Sequence, residues 1–175
     1  MPIARLAARV VIGGLFVGHG TQKLFGWFDG PGLDGTQGVM EMLEMRPTKP
    51  NALAAGVSEA AGGALLALGL ATPLAASSLM GTMIVAIRKV HLAKGPWVSK
   101  GGYEYNAVLI AALAALVETG PGALSLDHAL GIEKKGLGWA AAAVGAGVVA
   151  STLTIESAKR QPAPPAAAEP AEVSD

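Results

Sequence analysis

Between Glu59 and Arg88 the chain carries no charged side chain: the stretch is apolar apart from Gly, Ser, Thr and one Pro, and similar runs occupy 10 to 22, 105 to 117 and 136 to 155. A helix rises about 1.5 Å per residue, so runs of this length match a hydrocarbon core of roughly 30 Å. Water-soluble domains rarely space their ionisable groups so widely. The expected fold class is therefore all-α, an integral membrane bundle. An ionisable group at membrane depth costs about 2.5 kcal/mol or more unless it is paired or hydrated. The few charges at the edges of the runs thus become the functional question.

Composition narrows the function classes. Apolar residues make up 51% and charged residues 15%, far from an ordinary globular domain. With 13 basic and 13 acidic residues there is no net field to attract nucleic acid, and no basic stripe interleaved with aromatics, so no nucleic-acid partner is expected. Cysteine is absent, which removes thiolate nucleophiles, Cys-ligated zinc and iron–sulfur ligation. Arg5 and Arg9 ahead of an apolar stretch resemble a signal peptide, but no A-x-A site follows, and an uncleaved first span is expected.

The first span reads from about Ile3 to Phe28 and ends at the turn cluster Asp29-Gly30-Pro31-Gly32. Thr36 to Met45 reads as a short interfacial helix capped by Thr36. The second span, Ala52 to Leu70, is closed by Ala71-Thr72-Pro73. The third, Leu74 to about Ala93, follows after almost no loop, which forces antiparallel neighbours. The fourth runs from Tyr103 to Val117. Beyond a loop holding Asp127 and His128, expected to be solvated, Gly136 to Ile155 is an Ala/Gly/Val run. The domain reading is a four-span bundle over 1–130, a fifth transmembrane helix over 136–156 and a disordered Pro/Ala-rich tail over 157–175.

Because successive spans alternate in direction, the end of the first, the start of the second, the end of the third and the start of the fourth share one membrane side. The polar residues collect there: His19, Gln22 and Lys23; Glu59; Arg88 and His91; Glu104, Tyr105 and Asn106. Glu59 is too short to reach the head groups and sits before Ala60-Ala61-Gly62-Gly63, so it should pair with Arg88, Lys23 or His19, or be protonated. A ligand site and a structural ion pair are both open readings of this layer. Lys23, Lys89 and Lys94, and Arg5 and Arg9 at the other end, can also snorkel to the head groups. Gly14-x-x-x-Gly18 and Ser58-x-x-x-Gly62 have the spacing of close helix contacts. No H-x-x-x-H or E-x-x-H spacing is present, so no metal site is expected.

His19-Gly-Thr-Gln22-Lys23-Leu-Phe-Gly ends the first span, Glu59 lies in a small-residue second span, and Arg88 to His91 ends the third. Gly101-Gly102-Tyr103-Glu104-Tyr105 opens the fourth, and Gly120-Pro121-Gly122-Ala-Leu-Ser-Leu-Asp127 follows it. In this order the motifs resemble the DoxX family of small bacterial membrane proteins over roughly residues 3 to 130. The resemblance implies a four-helix bundle in the bacterial inner membrane. It also implies relatives that serve as membrane subunits of thiosulfate:quinone oxidoreductases or of complexes against oxidative stress. No flavin, haem or nucleotide fingerprint is present, so the chain is expected to be an accessory subunit and not catalytic alone. The cofactor expectation is no covalent group, with a quinone as the candidate ligand. Expected partners are the lipid bilayer, soluble redox enzymes and further copies of the chain. The alternative is a scaffold without chemistry that brings soluble redox enzymes to the membrane.

Overall fold

A computed structural model describes residues 2–161, and among these every regular element is helical: α1 (Pro2–Phe25), α2 (Gly32–Met42), α3 (Thr48–Leu68), α4 (Thr72–Ala86), α5 (Glu104–Thr119), the single turn α6 (Leu126–Ala129) and α7 (Leu137–Lys159). α4 does not stop at Ala86. It continues through a wider π turn over Ile87–His91 and a 3-10 turn over Leu92–Lys94. Three helices, α1, α3 and α7, are long and apolar enough to cross a membrane.

Contacts fix the directions. Gly13 meets Gly63 and Ala67 while Gly20 meets Ala60 and Gly56 meets Leu24, so α1 and α3 are antiparallel. The α3–α4 turn is tight. Gly69 ends α3 in the left-handed region at φ 65, and the Leu70 amide bonds Leu65 O at 2.9 Å, a Schellman closure that turns the chain straight back. A side chain at Gly69 would also strike the Arg9 guanidinium. α7 runs parallel to α4, with Gly147 against Ser77 and Gly81 and with Thr152 bonded to Arg88. α4 packs against α3, α5 and α7, and the main core draws on α1, α3, α4, α5 and α7 through residues such as Phe16, Leu66, Leu79, Met80, Leu113 and Ala143. Outside that core the long helices expose Val11, Leu15, Val57, Leu74, Val108, Val149 and Leu153. An exterior this apolar belongs in lipid.

Several sequence expectations shift in detail. α2 begins at Gly32, just after Pro31, so Thr36 is not its cap: its hydroxyl donates to Gly32 O at 2.7 Å and to Lys23 O at 3.2 Å, tying α2 to the end of α1. Gly14 and Gly18 have open space around them. The close α1–α3 contact uses Gly13 and Gly20 instead, one heptad apart, and Gly62 faces Leu79 of α4. α7 runs to Lys159, so the first residues of the expected tail are helical, and 162–175 lie outside the described residues.

Gly20→Leu is expected to cost about 1 to 3 kcal/mol by overpacking, because a Cβ there collides with the Ala60 backbone. Gly14→Leu should stay within about 0.5 kcal/mol. Thermal unfolding of the two variants in detergent checks the register; equal effects would contradict it.

Candidate functional site

The α1–α3 contact aligns the end of α1 with the middle of α3, and there Lys23 Nζ donates to the Glu59 carboxylate. Glu59 is 3% exposed, whereas the Lys23 side chain is 28% exposed. The pair forms part of the wall of a cavity of about 290 Å³ enclosed by α1, α2, α3, α4 with its π turn, and the start of α5. Six of the nine residues expected in the polar layer line it: His19, Lys23, Glu59, His91, Tyr105 and Asn106. Most of the remaining wall is apolar, with Phe16 and Leu109 below and Met40 and Met45 above.

The hydrogen bonds around the two imidazoles set their tautomers. The Gln22 amide donates to Phe28 O at 3.3 Å, which turns its oxygen toward His19 Nδ1 at 3.1 Å. His91 Nδ1 lies 2.7 Å from Gly101 O. A carbonyl oxygen only accepts, so both Nδ1 atoms carry the proton and each neutral ring keeps its Nε2 lone pair. Asn106 is 7% exposed and its amide donates to the Met83 sulfur at 3.3 Å. Lys89 also lines the cavity, and among the described residues no carboxylate lies within salt-bridge distance of it. One ion pair, one further ammonium, two imidazoles, an amide and a phenol therefore serve an otherwise apolar space. Such a set suits a small amphipathic molecule whose polar end accepts hydrogen bonds and exchanges protons.

Three expected members stand outside the wall. Gln22 acts one step back, positioning His19 and the turn after α1. Arg88 points the other way and donates to Thr152 Oγ1 of α7 at 3.0 Å. The π turn explains this: its extra residue per turn rotates Arg88 and His91 off the common face that an α-helical i, i+3 spacing would give them. Arg88 is therefore not the partner of Glu59. Glu104 occupies the first turn of α5, where a carboxylate complements the helix dipole.

At the opposite end lies a second polar cluster that the sequence reading missed. Arg9 is fully buried, donating from Nη1 to Ala67 O at 3.2 Å and from Nη2 to Leu124 O at 2.5 Å. Asp127 is 1% exposed and accepts from the Ala71 and Thr72 amides, at 2.7 and 2.9 Å, and from the Thr72 hydroxyl at 2.7 Å. The expectation that Arg9 snorkels and that Asp127 is solvated is thus corrected. The carboxylate satisfies the open amides at the start of α4 while the guanidinium satisfies carbonyls ending α3 and following α5. The signal was present in Ser125-Leu-Asp127, where Ser125 caps α6 by accepting from the His128 amide at 3.2 Å. His128 itself is exposed, with Nδ1 3.4 Å from Glu133.

These features define a helical membrane protein with an internal polar site close to one end of its helices. A DoxX family profile matches residues 4–92, more than half of the chain, and the protein belongs to that family. The match covers α1 through the π turn, hence His19, Lys23, Glu59 and His91; Tyr105 and Asn106 lie beyond it. No curated protein and no solved structure matches the chain.

Proposed function

We propose that this DoxX-family protein is a multi-pass protein of the bacterial inner membrane whose cavity holds a quinone head group, and that it serves as the membrane subunit of a redox-stress complex. The observation that carries this reading is the polar end of the cavity, where Lys23–Glu59, Lys89, His19 and His91 converge within an apolar enclosure. A bound quinone supplies the redox chemistry, taking up electrons together with protons. Lys23 and Lys89 offer N–H donors to its carbonyl oxygens. His19 and His91 give and take protons at Nε2, their Nδ1 atoms being held by Gln22 and Gly101. Glu59 accepts or releases a proton as Lys23 shifts toward or away from it. Phe16, Leu109 and the methionines exclude bulk water. The chain has no cysteine and no cofactor fingerprint of its own, so electrons come from a soluble redox enzyme docked at the membrane face. Purification in mild detergent with mass spectrometry of co-purified proteins and quinones tests this; an absence of both from active membranes would count against it.

In the same reading α1, α3, α4, α5 and α7 all span. α7 runs parallel to α4, begins near Trp139, over whose ring Lys134 sits at 4.9 Å, and ends at Lys159, a layout that fits two interfaces. Reporter fusions at Met1 and Asp175 are expected to lie on opposite sides of the membrane. The same side for both would exclude five spans.

A further inference from the structure

The cavity is closed by helix packing on some sides and not on others. α1 packs along α3, and α5 packs on α4 and α7; among the described residues no comparable packing joins α1 to α5. At the end remote from the cavity the two helices are nevertheless tied, because Arg5 Nη1 donates to Thr119 O at 2.8 Å and Arg9 reaches Leu124 O just past α5. At the cavity end Ile12, Leu15 and His19 of α1 face Tyr105 and Leu109 of α5 across the cavity. Leu15 is 52% and Tyr105 49% exposed although both line it. The cavity thus opens sideways between α1 and α5, at the depth of the hydrocarbon, through an apolar rim.

We infer that the ligand of this site is a lipid-dissolved, chain-bearing amphiphile that enters between α1 and α5 and leaves its alkyl or isoprenoid chain in that gap. The inference rests on the quinone reading for the head group but adds the route and the requirement for a chain. An apolar rim offers nothing to hydrate a water-soluble ligand on the way in, whereas a chain lying along Ile12, Leu15 and Leu109 keeps those side chains out of water. The clamp formed by Arg5 and Arg9 holds the far ends of α1 and α5 together, so the gap stays a slot and does not become a separation of the bundle. A second cleft of about 150 Å³ borders the cavity between α3, α4 and α7 and shares Met40, Met45 and Thr82 with it. Its wall carries the hydroxyls of Ser58, Ser78, Ser151 and Thr154. Those polar atoms fit a hydrocarbon chain less well than the α1–α5 rim.

The test is photolabelling of the full chain in liposomes with a benzoquinone carrying a diazirine at the end of a decyl chain, with and without excess unlabelled decyl-benzoquinone. Label that the competitor removes is expected on residues 11–15 and 105–112, and Leu15→Trp should abolish it there. Competable label on α3 or α7 residues of the second cleft overturns the portal while the head-group reading stands. Label that no competitor removes, or none at all, overturns the portal and the quinone reading together.

Discussion

Replacing Arg9 by alanine is expected to cost about 3 to 5 kcal/mol of stability, the range for removing one member of a buried charged cluster. The guanidinium is fully buried and joins three parts of the chain: α1, the end of α3 at Ala67, and the segment after α5 at Leu124. Without it both carbonyls lose charge-assisted donors, a large void opens beside Gly69, and Asp127 loses the nearest compensating charge. Arg9→Lys should recover only part of the loss, because an ammonium lacks the planar fork that reaches two carbonyls at once. Asp127→Ala should be smaller, about 1 to 3 kcal/mol, since it strips acceptors from the Ala71 and Thr72 amides and leaves the Arg9 bonds intact. Thermal unfolding of the detergent-solubilised variants checks the order. An Arg9→Ala protein as stable as its parent would show that the cluster is not a lock.

The second large effect is on binding. Glu59→Gln keeps the size of the side chain and an acceptor for Lys23, so the fold should survive. The variant can no longer hold a proton or balance the Lys23 charge, and affinity for a quinone should fall at least about tenfold, or about 1.4 kcal/mol. Glu59→Ala should also destabilise, by about 1 to 3 kcal/mol, a modest figure because Lys23 is partly exposed and can turn toward the head groups. His91→Gln should weaken binding with little loss of stability, since its ring lies at the cavity edge on the π turn. Binding titrations alongside unfolding midpoints separate these cases. Full binding by Glu59→Gln would favour a structural ion pair.

What the sequence made legible was the spacing of charge. A gap from Glu59 to Arg88 announces paired antiparallel helices, and the burial of Glu59 follows from its short reach among small neighbours; its partner, Lys23, was among those named. What stayed hidden depends on distance along the chain and on phase. The carbonyls that hold Arg9 come from 58 and 115 residues away, so nothing local distinguishes it from an arginine that snorkels. The α1–α3 register rests on Gly13 and Gly20, and in a chain with 24 glycines the i, i+4 pair Gly14 and Gly18 looks equally good until the partner helix is placed. Arg88 was assigned to the wrong face because no sequence rule used here marks a π turn, and one extra residue per turn redirects everything after Ala86.

The central claim is that the Lys23–Glu59 cavity holds a quinone head group. It is tested most directly by titrating the purified full chain in nanodiscs with decyl-benzoquinone, beside the Glu59→Gln variant at equal folded concentration. Saturable binding of one molecule per chain, weakened at least about tenfold in the variant, is the predicted result. Non-saturable partitioning into the lipid, identical for both proteins, would contradict it.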